Sequence, residues 1–343
     1  MRKPPSTPLP ASTIACLGID VSKTHLDACL LTELATWHRA RCKAANSPTG
    51  VAQLIQWMEA HVNGSIPVVM EATGPYGMLA AERFDNAGHR VSVVNAKRMK
   101  HFANAQGRRN KTDKADAEVI ARFGLTQQLD QWRPLPAELS ALRDLLRHVA
   151  DVQAGVQAHR NRLEKLRHGQ GPVAESLRRL IASGTNELKR LEAKVKDHLK
   201  DHPALEADCQ RLETIPGIAR KTSRLLVAEI LRELKSSRAA AAWAGLTPRL
   251  NESGSQRKPS KIGPDGNQVL RKALYFPAVA AMRFSPRFKT FAQRLAQRGK
   301  SKMEIIIAVA HKLLRTAFSI LKNQSTYDPT HQSIASRTSP QPA

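Results

Sequence analysis

Hydrophobic and polar positions in the first hundred or so residues alternate between short apolar runs and amphipathic segments, a pattern typical of α/β domains. Five runs, three of them consecutive, predict strands. Apolar positions at three- and four-residue spacing predict the helices between and after them. The predicted strands are "STIACLGIDVS", "THLDACLLTE", "ATWHRARCKA", "IPVVMEATG" and "HRVSVVNA", and the predicted helices are "PTGVAQLIQWMEAHV", "YGMLAAERFDNAG" and "RRNKTDKADAEVIAR".

The order of these elements is three strands, helix, strand, helix, strand and helix. An RNase H-like domain, a mixed sheet with flanking helices, has this order. Other α/β sheets also begin with strands. The order alone therefore favours the RNase H-like fold without excluding the alternatives.

Residues 136–203 predict two long helices separated by "HGQGP". Their apolar residues keep helical spacing, at Leu139, Leu142, Leu146, Val149, Val152 and Val156, and then at Leu177, Leu180, Ile181, Leu188, Leu191, Val195 and Leu199. Two interpretations are open. The helices are a hairpin packed on its own domain, or they are a coiled-coil arm that dimerises or spans nucleic acid.

Residues 212–230, "LETIPGIARKTSRLLVAEI", predict two helices joined by an Ile-Pro-Gly-Ile turn. Such a turn resembles a helix-hairpin-helix element, which presents backbone N–H groups to a phosphate, here with Arg220 and Lys221 behind it. An ordinary tight helical turn is the alternative. A Gly-, Ser- and Pro-rich loop is predicted next, and a helix after it, with basic residues at Arg249, Arg257, Lys258, Lys261, Arg271 and Lys272.

The predicted class is thus α/β plus α, with a mostly helical C-terminal part. We expect an RNase H-like domain over 13–130, a helical coiled-coil connector over 136–203 and a helical domain over 204–322. The ends, 1–12 and 323–343, are rich in proline or polar residues and are predicted to be disordered.

Charge is distributed unevenly along the chain. The 343 residues hold 54 Lys and Arg against 29 Asp and Glu, a formal net charge of +25. Residues 1–96 carry 8 basic and 7 acidic side chains, whereas residues 232–322 carry 19 basic and 4 acidic ones. A near-neutral domain followed by a strongly basic region indicates a polyanionic partner, above all nucleic acid.

The remaining composition narrows the class further. Four cysteines without a C-x-x-C pair predict reduced core residues in a cytoplasmic protein, which would here be nucleoid-associated. We expect no membrane partner, because the chain lacks a long apolar run and a signal-peptide core. An aromatic content of 4% argues against recognition built mainly on stacking of single-stranded bases.

Four carboxylates are the candidate catalytic and metal-binding groups. Asp20 ends the first predicted strand, Glu71 ends the fourth, and Asp113 and Asp116 lie three residues apart on the first turn of a helix. Helix geometry puts the Cβ atoms of such a pair about 5 to 6 Å apart on one face. Hard cations such as Mg²⁺ take carboxylate oxygens, and two ions about 4 Å apart can hold both reacting oxygens of a phosphodiester.

Each acid also has a structural interpretation. Asp113 and Asp116 are placed to cap their helix, and Asp20 is a plausible turn residue. Glu71 is harder to explain as structure, because an unpaired carboxylate directly after four buried residues costs several kcal/mol. The three carrying elements, taken together, favour a metal site.

Five motifs together resemble one family. They are "GIDVSKTHLDACL", "VVMEATGPYG", "NKTDKADAEVIARF", "IPGI" and "AGLTPRLNESGSQRKPSKIG". In this order they are similar to the DEDD transposases of bacterial insertion sequences, described as bridge-RNA-guided recombinases, from about residue 14 to about 322. The resemblance implies an RNase H-like domain of the Holliday-junction resolvase type, a coiled-coil connector and a helical transposase domain.

The resemblance also implies residue roles. Asp20, Glu71, Asp113 and Asp116 would be the tetrad that binds Mg²⁺, as two ions per site and with Mn²⁺ as a substitute. Ser253 would be the nucleophile that forms a covalent phosphoserine with DNA, although Ser255 lies two residues later. Arg108, Arg109 and Lys111, beside the acidic pair, would contact nucleic acid together with the basic residues of the C-terminal part.

The implied reaction is DNA strand exchange without net hydrolysis. Its implied partners are double-stranded DNA at the element ends and the target, a guide RNA, and further copies of the chain in a dimer or tetramer. Two other functions are open: a metal-dependent junction-resolving nuclease in which Ser253 only binds phosphate, and a non-catalytic nucleic-acid-binding protein whose acids are structural.

Overall fold

The structure, a computed structural model, describes residues 14–33, 37–106, 113–166, 169–230, 234–253, 256–263 and 266–330. The chain divides between Leu135 and Pro136 into two compact units, named unit 1 and unit 2 in chain order. Each unit buries its own apolar side chains. Arg108, Arg109, Lys111 and Ser255 lie outside the described residues, as does the predicted N-terminal extension.

Unit 1 contains five strands, four helices and a short 3₁₀ turn at Gly74–Gly77 within its described part. The strands are β1 Ile14–Val21, β2 His25–Glu33, β3 Trp37–Ala45, β4 Pro67–Glu71 and β5 Arg90–Val94. The helices are α1 Pro48–Glu59, α2 Met78–Asn86, α3 Ala96–Ala105 and α4 Asp113–Thr126. All predicted strands and helices are present, and α3 is an addition.

The strands form one mixed sheet in the order β3-β2-β1-β4-β5. β1 pairs antiparallel with β2, and β2 pairs antiparallel with β3, whereas β1, β4 and β5 run parallel. This topology confirms the predicted α/β sheet and is consistent with an RNase H-like domain. The parallel pair matters for function, because it brings the carboxyl ends of β1 and β4 to the same edge.

Helices cover both faces of the sheet. On one face, α1 and α2 bury residues such as Val51, Leu54 and Phe84 against alternate positions of β1 and β4, including Leu17 and Val68. On the other face, α4 buries residues that include Ile120 and Phe123 against Cys16 and Val69. Strand positions two residues apart share a face. Gly18 and Asp20 therefore share the α4 face with Cys16, and Glu71 shares it with Val69.

Local capping explains where the helices begin. Ser47 accepts a hydrogen bond from the Gly50 N–H at the start of α1, and Pro48 occupies the first turn. Asn95 accepts one from the Lys97 N–H at the start of α3. Only Met99 of α3 is buried, which is why hydrophobic spacing does not predict this helix.

Unit 2 is mostly helical. Its helices are α5 Ala137–Glu164, α6 Pro172–Asp201, α7 Pro203–Glu213, α8 Arg220–Glu229, α9 Ser237–Trp243, α10 Gln268–Ala273, α11 Tyr275–Phe284, α12 Pro286–Gln297 and α13 Lys302–Asn323. Two short strands, β6 Arg249–Ser253 and β7 Gln256–Lys261, form an antiparallel pair. The stretch predicted as a loop is therefore a β-hairpin. Its strands are almost wholly polar, so hydrophobic alternation does not reveal them.

The two long helices pack against each other as an antiparallel pair. His198 of α6 bonds through Nε2 to the Glu138 carbonyl oxygen of α5 at 2.8 Å, and Gly184 lies against Val156 farther along. The coiled-coil role of this pair, and the division of unit 2 into a connector and a transposase domain, stay predictions.

Helix α13 begins with a capping box formed by Ser301 and Glu304 and buries residues such as Leu313 and Phe318. Even so, neither this helix nor any other in the described ranges is long and apolar enough to cross a membrane.

Candidate active site

Two of the four candidate carboxylates follow directly from the parallel pairing of β1 and β4. Ile19 lies opposite Met70 in the register, and Asp20 and Glu71 are the next residues on the two strands. Neighbouring strands are about 4.8 Å apart. Both acids are half-buried and belong to the α4 face of the sheet. The sheet therefore brings Asp20 and Glu71 to one edge on the same side.

Helix α4 runs antiparallel to β1 and leads to that same edge. A Cβ at Gly124, near the end of the helix, would overlap Cys16 and lie 2.7 Å from Val69 Cγ2. A Cβ at Gly18, farther along β1, would overlap the backbone of Ala117 and Ala121. Earlier helix residues thus lie over later strand residues. The N-terminal turn of α4 is consequently at the carboxyl end of β1, where Asp20 lies.

Asp113 is the first residue of α4, and Asp116 lies on its first turn. The Asp116 side chain is half-buried, whereas the Asp113 side chain is outside the part that the structure describes. The positive end of the helix dipole favours acidic residues at this position. The capping interpretation and the metal interpretation therefore place Asp113 and Asp116 at the same point.

The donor chemistry suits a hard divalent cation, because every candidate ligand is a carboxylate. Among the described residues, however, no three His, Cys, Asp or Glu side chains form a group that could hold a metal ion. Asp20, Glu71 and Asp116 each interact with other groups. The element ends converge, but the described carboxylates are not assembled into a ligand shell.

A single side chain links the loops that follow the acidic strand ends. Asn46, just after β3, donates from Nδ2 to the Ser22 carbonyl at 2.8 Å and to the Tyr76 carbonyl at 3.0 Å. Ser22 follows Asp20 by two residues, and Tyr76 lies in the 3₁₀ turn after Glu71. Asn46 therefore holds together the two loops that border the site, which sequence reasoning did not predict.

A fifth acid lies beside the site. Asp27 of β2 is directly opposite Asp20 in the antiparallel register, and its carboxylate is 3.4 Å from Lys43 Nζ on β3. Its side chain is largely buried, with 14% exposed. The alternation of "THLDACL" puts Asp27 two residues before buried Cys29, and this signal would have identified it.

A second residue that sequence reasoning missed is Glu118 of α4. Its carboxylate is buried, with 2% exposed, and accepts hydrogen bonds from Arg39 (3.1 and 3.3 Å), Arg41 (2.8 Å) and Arg122 (two at 3.1 Å). One buried carboxylate with three guanidinium groups leaves an excess of positive charge. The arginine side chains are 52%, 45% and 36% exposed, so the excess reaches the surface.

Arg39, Arg41 and Lys43 form a row on β3, which we name the β3 basic row. The row borders an open cleft of about 380 Å³ that is also lined by Trp57 and His61. Its residues alternate with Ala40 and Cys42, so they all belong to the face of Asp27. Lys43 lies two strands from Asp20, about 10 Å away in the sheet. Because residues 1–96 carry nearly equal numbers of basic and acidic side chains, their net charge did not reveal this local positive surface.

Ser253, the candidate nucleophile, belongs to unit 2. It is the last residue of β6 and lies opposite Gln256, the first residue of β7. The structure describes the backbone of both strands but not their side chains, which include Arg249, Arg257, Lys258 and Lys261.

The two stems of this hairpin are held by Arg271 of α10. Its Nη1 donates to the Gly263 carbonyl at 3.2 Å and to the Gly245 carbonyl at 3.4 Å. Gly245 precedes β6 and Gly263 follows β7, so one guanidinium joins the chain entering the hairpin to the chain leaving it. These bonds give Arg271 a structural use, while its predicted contact with nucleic acid stays a prediction.

A buried carboxylate, paired with a half-exposed arginine, supports the same region. Glu229, at the end of α8, has 1% of its side chain exposed and accepts from Arg147 at 2.7 and 3.0 Å and from Asn267 at 2.8 Å. Asn267 also caps α10. Burial raises the pKa of Glu229, but these hydrogen bonds and the charges of Arg147 and Arg143 outweigh burial, and the pKa is lower than usual.

Arg220 and Lys221, behind the Ile-Pro-Gly-Ile turn, are both exposed and make local contacts. Arg220 Nη2 donates to Glu206 at 2.7 Å, and Lys221 Nζ donates to Gln153 at 2.8 Å. Gly217 in the turn has φ +92° and packs against the backbone of α11. The tight turn is present, and its phosphate-binding role stays a prediction. Lys272, the last of the described basic candidates, is exposed.

Two family models match this chain. One, described as a transposase and named for the DEDD transposases of the IS110 type, matches residues 17–168. The other, described as transposase IS116/IS110/IS902 family, matches residues 209–293. The first match includes all four candidate carboxylates, and the second includes Ser253.

Curated relatives match over most of the chain. The pilin gene-inverting proteins of Moraxella lacunata and Moraxella bovis are each 32% identical over 322 residues, which cover 91% of this chain and 97% of each relative. The transposase for insertion sequence element IS1111A of Coxiella burnetii is 24% identical over 347 residues, covering 92% of this chain and 91% of that protein.

Proposed function

Because the chain belongs to the transposase IS116/IS110/IS902 family and is a DNA transposase, we propose that it exchanges DNA strands through a covalent phosphoserine. The observation that carries this proposal is the convergence of β1, β4 and the first turn of α4 at one edge of the sheet. Asp20, Glu71 and Asp116 come from these three elements, and Asp113 begins the third.

In this proposal Asp20, Glu71, Asp113 and Asp116 hold Mg²⁺, as two ions per site and with Mn²⁺ as a substitute. Bound divalent ions would neutralise charge on the scissile phosphate and favour the ionised form of the attacking hydroxyl. The support is the carboxylate chemistry and the shared edge. Without bound cations, the dense group of carboxylates would repel the DNA phosphates.

The proposed reaction conserves phosphodiester bonds. Ser253 Oγ loses its proton and attacks a backbone phosphorus, so that an Oγ–P bond forms. One P–O bond to deoxyribose breaks, and the leaving oxygen takes up a proton. A hydroxyl of another DNA strand then attacks the same phosphorus and releases Ser253. Ser255 is the alternative nucleophile for the same sequence of steps.

Rejoining is favoured over hydrolysis by the names of two relatives. Those proteins are named for inverting a pilin gene, and an inversion requires that cut ends be rejoined. We extend this property to the present chain as part of the proposal. Cutting several strands together requires several sites, so we also propose a dimer or tetramer.

We further propose that the β3 basic row binds the DNA backbone next to the acids. Arg39 and Arg41 keep about half of their side chains exposed while bonding Glu118, and Lys43 is 56% exposed. An extended strand repeats its side chains every 6 to 7 Å on one face, so the row spans about 13 Å. We also propose DNA contacts for the basic residues predicted earlier, Arg108, Arg109 and Lys111 among them. A guide RNA would select sequence by base pairing.

The test is to trap the phosphoserine. Purified protein, labelled element-end DNA, guide RNA and Mg²⁺ are mixed, denatured and resolved for a protein–DNA adduct. We expect an adduct that is absent in Ser253→Ala and retained in Ser255→Ala. Glu71→Gln should reduce the adduct by roughly 100-fold or more. Glu82→Gln, an exposed glutamate of α2, is the matched control and should retain it.

Other outcomes would contradict the proposal. Cleaved DNA without any adduct would favour a hydrolytic nuclease in which Ser253 only binds phosphate. Full DNA rearrangement by Asp20→Asn and Glu71→Gln would contradict the metal tetrad. Binding without cleavage under every metal and RNA condition would favour a non-catalytic role for this copy.

A further inference from the structure

One face of α11 carries large apolar side chains that are exposed. Phe276 is 77% exposed and Phe284 is 70% exposed, with Tyr275 at 38% and Val279 at 39% beside them. The opposite side of the helix is buried through Pro277, Ala278 and Ala281. We name the exposed side the aromatic face. Solvent-exposed phenylalanine rings are unfavourable, and a group of them indicates a binding surface.

The helix that bears this face is firmly supported from behind. A Cβ at Gly217, in the Ile-Pro-Gly-Ile turn, would lie 2.9 Å from the Ala281 backbone nitrogen. The turn and the buried side of α11 thus approach as closely as only glycine permits. The aromatic rings are therefore presented on a fixed helix, which reduces the entropy lost when a ligand binds.

Cations are interleaved with the rings. Lys272, near the end of α10, and Arg283 of α11 are both exposed, and helical spacing places Arg283 on the same stripe as Phe276. The Arg283 guanidinium lies 5.3 Å from the Phe284 ring centroid, and Tyr275 meets Phe276 edge to face at 5.2 Å. Aromatic platforms with adjacent positive charges are typical of proteins that bind single-stranded nucleic acid.

Charge argues against a second copy of the chain as the occupant. The three helices α10 to α12 contain six Lys or Arg residues and no Asp or Glu. In a two-fold dimer the same surface meets itself, so such a contact would bring like charges together without acids to pair them. A polyanion is the complementary partner.

The rings also distinguish single strands from duplexes. A duplex keeps its base faces stacked on each other, whereas an unpaired base offers its face to an aromatic side chain. Phe276 and Phe284 are eight residues apart, which is about 12 Å along the helix and about 80° around it, so there is room for one base on each ring. The low aromatic content of the whole chain does not prevent this, because the few rings are concentrated on one face.

We propose that the aromatic face binds single-stranded DNA, with unpaired bases stacked on Phe276 and Phe284 and with phosphates contacted by Lys272 and Arg283. The proposal rests on the proposed function in one respect: strand cleavage and exchange expose unpaired bases on the DNA that the transposase handles. The aromatic content and net charge of the whole chain did not indicate this binding site.

The test measures binding of labelled single-stranded DNA, duplex DNA and single-stranded RNA of one sequence to the full chain by fluorescence anisotropy. Chelator is present, so that cleavage chemistry plays no part. We expect Phe276→Leu and Phe284→Leu each to weaken single-strand binding about tenfold, and duplex binding to change less than about twofold. Phe276→Tyr should bind as the unmodified chain does, because it retains the stacking ring.

Leu180→Ala is the control, since Leu180 is an exposed apolar residue of α6, with 47% exposure. Unchanged single-strand binding by Phe276→Leu would overturn the proposal, and so would an equal loss for single strands and duplex. Tighter binding of RNA than of DNA would overturn the choice of DNA. A change in oligomeric state by light scattering with unchanged binding would assign the face to protein contact. Failure to trap a phosphoserine would leave these binding results unaffected.

Discussion

The two units hold their candidate reactive groups by different physical means. In unit 1, Asp20 and Glu71 end buried strands, and α4 lies on those strands at the close distance that Gly18 and Gly124 permit. In unit 2, Ser253 ends a strand of a polar hairpin whose stems are joined by hydrogen bonds from Arg271. Packing positions the acids, whereas polar contacts position the backbone that carries the serine.

We name the contacts that hold the reactive groups of a unit in place its frame, packed in unit 1 and polar in unit 2. The difference between the two frames determines which substitutions each one tolerates. A packed frame tolerates changes of charge at its surface but not an added atom between its elements. A polar frame tolerates small changes of shape but not the loss of one member of a buried ion pair, because its partners are then left buried and unpaired. The following predictions test each frame where it should be weakest.

The largest effect is expected from Glu229→Ala in unit 2. The Glu229 carboxylate is buried and accepts hydrogen bonds from Arg147 and Asn267, whereas the Arg147 side chain is 48% exposed. Because Arg147 can still be hydrated, we expect the loss of Glu229 to cost about 3 kcal/mol, the lower end of the range for breaking a buried pair. The loss should appear as faster hydrogen exchange in α8 and α10, measured peptide by peptide because the units need not unfold together. Glu187→Ala, which breaks only the exposed pair with Arg190, should change stability by less than about 1 kcal/mol.

Acidification should reproduce part of this effect. The pKa of Glu229 is lowered in the folded chain, so its stabilising contribution is complete above its usual value of 4.5 and is lost as the pH falls below that value. The difference in unfolding free energy between the unmodified chain and Glu229→Ala should therefore shrink as the pH is lowered below 4.5. A constant difference down to the lowest accessible pH would contradict the assignment.

The next effect is expected from Gly18→Ala in unit 1. The added Cβ would overlap the backbone of Ala117 and Ala121, with Ala121 Cα 2.9 Å away. We expect a cost of about 1 to 3 kcal/mol. Because the overlap pushes α4 away from β1, Asp113 and Asp116 should move relative to Asp20, and strand cleavage should fall roughly 100-fold.

Gly155→Ala is the matched control for this change. Gly155 lies within helix α5, and a Cβ there has no neighbour within 4 Å. Alanine in place of glycine in a helix stabilises by up to about 1 kcal/mol. If Gly18→Ala were as well tolerated as Gly155→Ala, the packed frame would not be what positions the acids.

A smaller effect is expected at the surface of unit 1. Arg41→Ala leaves Arg39 and Arg122 on Glu118, so the buried carboxylate stays paired. DNA affinity should fall a few-fold, and the slope of log affinity against log salt should decrease by about one. Arg83→Ala is the control, an equal charge change on α2 at the other face of the sheet. Equal effects of both variants would remove the β3 basic row from the DNA contact.

The sequence predicts unit 1 better than unit 2, and the same physical difference explains why. Asp20 and Glu71 follow apolar runs, so their place at strand ends can be read from the pattern. The contacts that hold these acids in place cannot be read from the pattern. The role of Gly18 depends on how closely α4 approaches β1, and Asn46 bonds to loop residues that are 24 and 30 positions away in the sequence. Glu118 and its arginines come from β3 and α4, which are far apart in sequence.

In unit 2 the hairpin escaped prediction because its strands carry almost no apolar residues. Its position depends on hydrogen bonds to backbone carbonyls, such as those from Arg271, which leave no periodic signal. The sequence pattern does not predict the burial of Glu229 either, since a glutamate near the end of a predicted helix is expected to be exposed. Polar frames must therefore be found from structure, whereas packed frames are partly visible in the pattern.

The smallest effect is expected from His89→Phe, which tests whether the packed frame of unit 1 is insensitive to charge. His89 is 4% exposed and packs edge to face on Phe84, with Glu59 3.9 Å away, too far for a hydrogen bond. Burial lowers the pKa of His89 from its usual 6.5, although Glu59 partly opposes this. Below pH 6.5 the unfolded chain therefore binds a proton more readily than the folded chain, and unit 1 loses stability as the pH falls. His89→Phe should remove that loss in hydrogen exchange of β5 between about pH 5 and 7, and the difference should be flat above about pH 8. An unchanged pH dependence would mean that another group in unit 1 titrates on unfolding. The frame of unit 1 would then depend on charge as well as on apolar packing, and the contrast with unit 2 would be smaller.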